Sequence, residues 1–229
     1  MIENQDLGKK AAGLWAAAKV QDGMLVGLGT GSTANYFIEH VAKRIKEDGL
    51  KIKAVSSSFS STLLARKLMI PLIPIDEVST LDIYVDGADE VAPDKSLIKG
   101  RGAAMVREKL LASACAEFIV VVDESKLVAK LGAKYPVPVE IVPFAYSYPL
   151  RRLQDLGGLC QIRQAIGKDG PVITDQGNLV VDVTFPASVD LCGIDGVLNQ
   201  IPGVLGHGIF CGLAKKIIVG GENDARIID

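Results

Sequence analysis

Carboxylates and a lysine are gathered in one short part of the chain, residues 85–109, with the sequence VDGADEVAPDKSLIKGRGAAMVREK. Asp86 and Asp89 come first, Lys99 follows, and a glycine-rich turn leads into a predicted helix that carries Glu108. Positioned carboxylates act as general acids and bases, and a lysine can stabilise negative charge that develops on oxygen. The combination predicts a site that moves protons.

Glu108 is the most informative of these residues. A helical period places its side chain on a mostly apolar face, with Arg101, Ala104, Met105, Leu111, Ala112 and Cys115. A carboxylate there costs free energy unless it is paired or used, and desolvation would raise its pKa towards the range of a general base. The alternative is a structural ion pair with Arg101.

Asp86 stands at the carboxyl end of LDIYVD, a predicted buried strand. Ligands of open α/β sheets lie just beyond such strand ends. Gly87 allows a sharp turn that could aim Asp86 and Asp89 into the same space. The alternative is an Asx-type turn with solvated carboxylates, and we interpret Glu90 as a surface group of this kind.

Two lysines, Lys99 and Lys126, stand just after predicted strands. A lysine at such a position could hold a phosphate or stabilise an oxyanion. By itself, Lys126 would be interpreted as a solvated residue at a helix start. It gains weight because it lies in the third strand-end loop that offers suitable chemistry.

The segment GLGTGSTANYF has the G-x-G-x-x-A form of a dinucleotide-binding turn. That function needs an acid at the end of the next strand to hold the ribose, where this chain has Ser56, Ser57 and Ser58. What remains is a turn whose N–H groups and hydroxyls could cradle one phosphate, formed by Thr30, Gly31, Ser32 and Thr33. The alternative is a tight turn in which Ser32 or Thr33 only caps the helix.

The first half of the chain alternates short apolar runs with helical patterns, which predicts a doubly wound, Rossmann-like α/β domain with a mostly parallel sheet. Its predicted strands are 24–29, 51–57, 81–86 and 118–123, each followed by a helical pattern, and the pattern after the third strand covers residues 100–114. From about residue 132 the order becomes β-α-β-β-α-β, typical of a small ferredoxin-like α+β unit. We therefore expect a catalytic domain of residues 1–131 plus 208–229, with residues 132–207 inserted as the smaller domain.

Bulk composition excludes several classes of protein. With 48% hydrophobic residues and a net charge of −2, the chain is neither disordered nor suited to nucleic acid or an anionic membrane surface. It shows no secretory signal and no run of apolar residues long enough to span a membrane. The separated cysteines are interpreted as reduced, mostly buried thiols of a cytoplasmic protein, and a zinc site is not expected; they are Cys115, Cys160, Cys192 and Cys211.

Four segments in this order and at these spacings resemble the type A family of ribose-5-phosphate isomerases: GLGTGSTANYF, VDGADE, LIKGRGAAMVREK and VVDESKLV. PVPVEIVPFA and IPGVLGHGIF are also similar, so the resemblance runs almost end to end. It implies interconversion of D-ribose 5-phosphate and D-ribulose 5-phosphate in the non-oxidative pentose phosphate pathway, for which we expect a mechanism through a cis-enediolate. It also implies no metal or organic cofactor and a homodimer, or possibly a tetramer.

The resemblance assigns roles to individual residues. Glu108 matches the proton-shuttling base, and Asp86, Asp89 and Lys99 match the other essential polar residues. The implied substrate contacts are Thr30, Gly31, Ser32, Thr33, Gly87, Ala88, Gly100, Arg101, Gly102 and Lys126, with Lys9 as a further candidate phosphate contact. Where the family more often has KGGG this chain has KGRG, so either position 101 needs no positive φ or Arg101 offers its N–H while its side chain turns outward.

Three alternatives stay open. Asp86, Asp89 and Glu108 could form an all-oxygen Mg²⁺ site, although Lys99 already supplies positive charge beside them. The chain could instead be a sugar-phosphate sensor, although it has neither the length nor the charge of an added DNA-binding segment. It could also be a related sugar-phosphate or acyl-CoA enzyme on the same scaffold.

Overall fold

The computed structural model describes residues 2–222 and 224–228. Its helices are α1 (Ile2–Ala17), α2 (Ser32–Glu47), α3 (Phe59–Lys67), α4 (Met105–Ala114), α5 (Ser147–Asp155) and α6 (Asp195–Asn199). Its strands are β1 (Leu25–Leu28), β2 (Lys53–Ser56), β3 (Leu81–Asp86), β4 (Glu90–Val91), β5 (Leu97–Ile98), β6 (Cys115–Asp123), β7 (Val137–Ile141), β8 (Leu159–Ile162), β9 (Leu179–Thr184), β10 (Val204–His207), β11 (Ile209–Phe210), β12 (Lys216–Gly220) and β13 (Ala225–Ile228). Single 3-10 turns occupy Ile75–Glu77, Glu124–Lys126 and Pro143–Ala145.

The chain divides into two compact units. The first comprises Met1–Ala88, Arg107–Leu127 and Leu213–Asp229, and the second comprises Asp89–Val106 and Val128–Gly212. The expected domain boundaries differ from these mainly at residues 89–106. That segment falls in the second unit because β4 and β5 pair with each other and β5 pairs with β11.

The first unit is built on a six-stranded sheet with the order β13-β12-β6-β3-β1-β2. All neighbouring strands are parallel except β13, which runs antiparallel to β12. The runs LVGL, LDIYVD and FIVVVD are nearly continuously apolar because such strands are buried on both faces. Their carboxyl ends lie at one edge, which places the residues after β1, β2, β3 and β6 together.

One face of this sheet packs against α1 and α2. Val26, Ile83, Val85 and Ile119 alternate along their strands and meet the apolar faces of the two helices, with Ala12, Ala16, Phe37, Ile38 and Val41. Arg44 and Lys46 in the last turn of α2 suit the negative end of its dipole. The α/β fold with a mostly parallel sheet is therefore confirmed.

The second unit contains a four-stranded antiparallel sheet with the order β10-β7-β9-β8. Along the chain its elements follow as β7-α5-β8-β9-α6-β10, the β-α-β-β-α-β arrangement of the prediction. A core of Val139, Ile141, Val181, Leu153 and Leu198 lies between the sheet and its helices. A second, three-stranded sheet has the order β11-β5-β4.

Several local predictions are wrong. The N-terminal helix α1 was not predicted, and the helical pattern after Asp123 forms only the 3-10 turn Glu124–Lys126. The helix expected from residue 100 begins at Met105, because the preceding glycines form a loop. No helix within the described ranges has the length and apolar character needed to cross a bilayer.

The expectation of four reduced cysteines is also wrong. Cys192 and Cys211 form a disulfide, with their Cα atoms 6.0 Å apart, whereas Cys115 and Cys160 are free and half-buried. Their separation of 19 residues gives no sequence signal, because pairing depends on where the fold brings the two thiols.

Candidate active site

The carboxylate of Asp86 is the centre of a hydrogen-bonded cluster in the first unit. Its side chain is fully buried at the end of β3. Oδ1 accepts hydrogen bonds from the Thr30 N–H at 2.9 Å and the Gly87 N–H at 2.7 Å, and Oδ2 accepts one from the Tyr84 hydroxyl. Hydrogen bonds from three donors fix the direction of this carboxylate.

Gly29 is required by this cluster. A Cβ at position 29 would lie 2.3 Å from Oδ1 of Asp86 and 2.5 Å from the carbonyl oxygen of Val85. No side chain fits there, so position 29 requires glycine because the β1 loop approaches Asp86 closely, and not because of its backbone conformation.

Tyr84 is a buried partner that the sequence interpretation missed. Its ring stacks on Phe118 with the centroids 5.1 Å apart. Burial raises the pKa of Tyr84 well above its usual value, and the nearby charges of Asp86 and Glu108 raise it further. The phenol therefore stays protonated and serves as a donor. A period of two along β3 puts Tyr84 on the same face as Asp86, which is the signal that could have found it.

Glu108 lies in the first turn of α4 and only 3% of its surface is exposed. Leu111 and Ala112 on the predicted face of the helix are buried as well. The position suits a carboxylate because the N-terminal end of a helix favours negative charge. Since Glu108 and Asp86 both act on the pKa of Tyr84, the two carboxylates share one electrostatic environment in the first unit.

The glycine turn between β1 and α2 offers backbone and side-chain donors. Gly31 is the N-cap of α2, with a φ of 105°, and no side chain among the described residues caps this helix. The alternative in which Ser32 or Thr33 acts as the cap is therefore not adopted. Gly31 and Ser32 are exposed, whereas Thr33 is buried.

Thr30 belongs to a hydroxyl network at the same sheet edge. Its Oγ1 lies 2.8 Å from Oγ of Ser57 and 2.7 Å from Oγ of Ser58. Ser58 is also the N-cap of α3, with a reciprocal pair of bonds to Ser61. The serines after β2, which the sequence interpretation considered only as the absence of an acid, thus connect the β1 and β2 loops.

In the second unit, Lys99 follows β5 and is 2% exposed. Its backbone N–H donates to the Gly208 carbonyl at 2.9 Å, which extends the pairing of β5 with β11. Its Nζ lies 5.7 Å from the ring centroid of Phe210, within the range of a cation–π contact. The ammonium is therefore held at a defined place in this unit.

The KGRG loop has one position with a strict backbone requirement. Gly100 has a φ of 97°, and a Cβ there would lie 2.9 Å from Cβ of Met105. Arg101 is not among the described non-glycine residues with positive φ. Its N–H donates to Oδ2 of Asp89 at 3.0 Å, and its exposed guanidinium lies 5.3 Å from the Tyr135 ring centroid. Arginine is tolerated at this position because only its backbone faces Asp89.

The prediction that Glu90 is a surface group is wrong. Glu90 is instead fully buried and accepts hydrogen bonds from three backbone N–H groups, those of Gly132 at 2.7 Å, Lys134 at 2.5 Å and Tyr135 at 2.8 Å. This carboxylate fixes the loop that carries Tyr135, on which Arg101 rests.

The remaining predicted contacts occupy varied positions. Lys126 is half-buried at the end of the 3-10 turn after β6, and Gly87 and Ala88 follow Asp86 in half-buried positions. Gly102 is exposed, and Lys9 is half-buried on α1. A pocket of about 490 Å³ opens within the second unit. Its lining includes Asp89, Arg101, Tyr135, Arg163 and Asp182, of which the last three had not been predicted.

Comparison with known proteins identifies the family. Residues 53–224 match the family described as ribose 5-phosphate isomerase A, or phosphoriboisomerase A. Ribose-5-phosphate isomerase A of Trichodesmium erythraeum is 48% identical over 233 residues, which cover 100% of this chain and 98% of the relative. The protein of the same name from Methanothermobacter thermautotrophicus is 46% identical and covers 96% of each chain.

Solved structures agree with the sequence comparisons. Ribose 5-phosphate isomerase A from Methanocaldococcus jannaschii superimposes with a TM-score of 0.92 at 43% identity, covering 97% of each chain. A D-ribose-5-phosphate isomerase in complex with phospho-erythronic acid gives a TM-score of 0.94 at 40% identity, covering 99% of each. This chain belongs to the ribose 5-phosphate isomerase A family.

Proposed function

We propose that this chain is an isomerase that interconverts D-ribose 5-phosphate and D-ribulose 5-phosphate. Family membership along nearly the whole chain supports the activity. The observation that carries the chemistry is Glu108, a carboxylate that is 3% exposed at the start of α4. A buried carboxylate close to other titratable groups is typical of a catalytic proton carrier.

Ring opening comes first. D-Ribose 5-phosphate must pass from the furanose to the open aldehyde, which requires a proton to leave the anomeric hydroxyl while the ring oxygen gains one. In this proposal Asp86 accepts the proton from the anomeric hydroxyl, and the same proton passes to the ring oxygen as its bond to C1 breaks. Its hydrogen bonds from Thr30, Gly87 and Tyr84 hold the carboxylate in one orientation, so little reorganisation accompanies proton transfer.

The isomerisation itself moves one proton between neighbouring carbons. Glu108 removes the proton from C2 of the aldose, the C2 electrons form a C1–C2 double bond, and O1 becomes the negative oxygen of a cis-enediolate. Return of the proton from Glu108 to C1, with transfer of the O2 proton to O1, gives the ketose. A positioned general base of this kind contributes about 10²–10⁴-fold to the rate.

The charge that develops on oxygen needs a cation, and Lys99 has that role in the proposal. An oxyanion donor contributes about 10²–10³-fold. Asp89 orients the substrate hydroxyls together with the backbone of Gly87 and Ala88. We also propose further substrate contacts, made by Thr30, Gly31, Ser32, Thr33, Lys126 and Gly100–Gly102.

The wider setting is part of the same proposal. The reaction would serve the non-oxidative pentose phosphate pathway, in the cytoplasm, and the protein would act as a homodimer or tetramer. Light scattering coupled to size-exclusion chromatography measures the assembly directly.

The first experiment is isomerisation of D-ribose 5-phosphate by purified protein, followed by NMR, with and without EDTA. Fast formation of D-ribulose 5-phosphate that is insensitive to EDTA supports the mechanism. Activity lost with EDTA and restored by Mg²⁺ would instead make Asp86, Asp89 and Glu108 metal ligands. Binding of ribose 5-phosphate without conversion would favour a sensor.

A further inference from the structure

We propose that Arg163 and Asp182 form a positioning pair that sets the geometry of the Gly100–Gly102 loop for the isomerisation. The inference rests on the proposed function and deepens it, since this loop follows Lys99 and supplies backbone groups to the substrate. Neither residue was singled out by motif or by resemblance.

The guanidinium of Arg163 reaches two consecutive carbonyl groups of the loop. Its Nη1 donates to the Gly100 oxygen at 3.1 Å and to the Arg101 oxygen at 2.9 Å. Its other two nitrogens bind Asp182, with Nε to Oδ2 at 2.8 Å and Nη2 to Oδ1 at 2.5 Å. One planar side chain therefore connects a carboxylate to two peptide groups.

Both residues are anchored in the four-stranded sheet of the second unit. Asp182 lies in the middle of β9, in register with Pro138 of β7 and Gln161 of β8. The Arg163 N–H donates to the Val180 carbonyl at 2.8 Å, and its own carbonyl accepts from the Val172 N–H at 2.8 Å. The pair thus transmits the rigidity of the sheet to a loop without secondary structure of its own.

The chemistry of the pair favours a positioning role. The side chains of Arg163 and Asp182 are only 17% and 22% exposed. Bidentate pairing with Asp182 neutralises the guanidinium and occupies its Nε and Nη2 groups. Nη1 is left to donate to the two carbonyls. Lysine lacks this planar fork and could not hold both partners in the same geometry.

Peptide planarity explains what this does for the loop. The oxygen of one residue and the N–H of the next share a plane and point in opposite directions. Holding the Gly100 oxygen therefore directs the Arg101 N–H, which donates to Asp89 at 3.0 Å. Holding the Arg101 oxygen in the same way directs the Gly102 N–H, a proposed substrate contact. The loop is fixed from both sides by side chains of opposite charge.

Without the pair, the loop would keep two hydrogen bonds, from the Arg101 N–H to Asp89 and from the Ala103 N–H to the Gly100 oxygen at 2.9 Å. Its Arg101 oxygen would lose the Arg163 contact. Gly100 has a φ of 97°, a conformation that glycine leaves easily. The peptide group after Arg101 can then rotate and turn the next N–H away from the substrate. A displacement of about 1 Å at a reacting centre costs about 10²-fold in rate.

The test uses the whole chain of 229 residues and five variants, one of which, Arg163→Ala, serves for chemical rescue. Arg163→Gln, Asp182→Asn and the double variant are compared with Arg151→Gln, whose arginine lies in the same unit and pairs with Asp155 on its own helix. We expect kcat/KM for D-ribose 5-phosphate to fall about 10- to 100-fold in Arg163→Gln, and less than twofold in Arg151→Gln. The double variant should be no worse than Arg163→Gln, because Asp182 acts through Arg163.

Two measurements distinguish an effect on the loop from a general loss of stability. Kinetics are recorded well below the thermal midpoint of each variant, and Arg163→Ala is assayed with added guanidinium at a concentration that leaves its thermal midpoint unchanged. Partial recovery of kcat/KM supports the proposal. Full wild-type activity in folded Arg163→Gln would overturn the positioning role while leaving the isomerase function intact. An inactive wild-type protein would instead overturn the proposed function and this inference with it.

Discussion

The hydroxyl of Tyr84 donates a hydrogen bond to Oδ2 of Asp86, two residues further along the same strand. Residues i and i+2 of a strand point to the same face, so this contact follows from the strand geometry of β3 alone. Both residues are fully buried. The proposed ring-opening carboxylate is thus held by a phenol whose raised pKa keeps it protonated.

Tyr84→Phe should lower both activity and stability. The variant keeps the ring stacked on Phe118 but removes one donor to a buried carboxylate, a loss worth about 1.5–3 kcal/mol. We expect the free energy of unfolding in urea to fall by this amount and kcat to fall about tenfold. The raised pKa of Tyr84 places its titration above the assay range. The pH–rate profiles of variant and wild type should therefore have the same shape between pH 6 and about 9, and a limb lost in the variant would contradict this role.

Glu108→Gln should abolish turnover while preserving substrate binding. The amide keeps the shape of the side chain but cannot accept the C2 proton, so kcat should fall by about 10²–10⁴-fold. Calorimetric titration of the inactive variant with D-ribose 5-phosphate checks binding, and exchange of the C2 proton with deuterated water checks proton removal. Glu117→Gln is the matched control, because Glu117 lies in the same unit and pairs with Lys216. A Glu108→Gln variant with more than a few per cent of the wild-type kcat would refute the assignment.

Gly29→Ala should damage the site from the backbone side. The new Cβ would lie 2.3 Å from Oδ1 of Asp86, so the β1 loop or the carboxylate must move. Overpacking of this kind costs about 1–3 kcal/mol of stability, and kcat should fall about 10²-fold with the displaced carboxylate. Gly196→Ala provides the control, since a Cβ there meets nothing within 4 Å. Equal activity of the two variants would show that Asp86 tolerates displacement.

Glu140→Gln should change the pH dependence of stability. Oε1 of the buried Glu140 accepts hydrogen bonds from Thr174 at 2.8 Å and Asn178 at 2.9 Å, whereas Oε2 has no hydrogen-bond partner among the described residues. Burial raises the pKa of this carboxyl above its ordinary 4.5, and the charge of Asp175 adds to the rise.

The sign of the effect follows from linkage. Because the folded-state pKa is raised, the protonated carboxyl favours folding fully below pH 4.5, and that contribution is lost as pH rises through the folded-state pKa. Urea unfolding should be measured at pH 4, about 5.5 and about 7. The free energy of unfolding of Glu140→Gln, relative to that of the wild type, should increase as pH rises. A constant difference across these pH values would mean that Glu140 does not titrate in this way.

Much of the site could be predicted because its signals are local. Asp86 ends a continuous apolar run, and the structure places it at the end of β3 as expected. Glu108 lies among residues that repeat with a helical period, and the structure buries it on that face. The β-α-β-β-α-β order of the second unit follows from the same kind of pattern.

Other features depend on pairs of residues that are distant along the chain. Glu90 sits in an acidic turn that is typical of a surface, yet the loop from Gly132 to Tyr135 folds over it and supplies three N–H groups. Cys192 and Cys211 become a disulfide only because the fold brings them together. The amphipathic signal of α1 is weak, since its buried face is made largely of alanine and glycine.

The amino-acid sequence by itself determined the α/β class, the family and the candidate acids and bases, because strand ends, helix faces and glycine turns are written in short-range patterns. Only the tertiary structure decided what holds those groups in place. The groups are held by directional hydrogen bonds. These run from the Tyr84 hydroxyl to Asp86, from the Arg101 N–H to Asp89, and from Arg163 to the carbonyls of Gly100 and Arg101. These hydrogen bonds can form only after hydrophobic burial has brought the strands and loops together. Burial has no preferred direction, whereas a hydrogen bond requires a defined distance and angle.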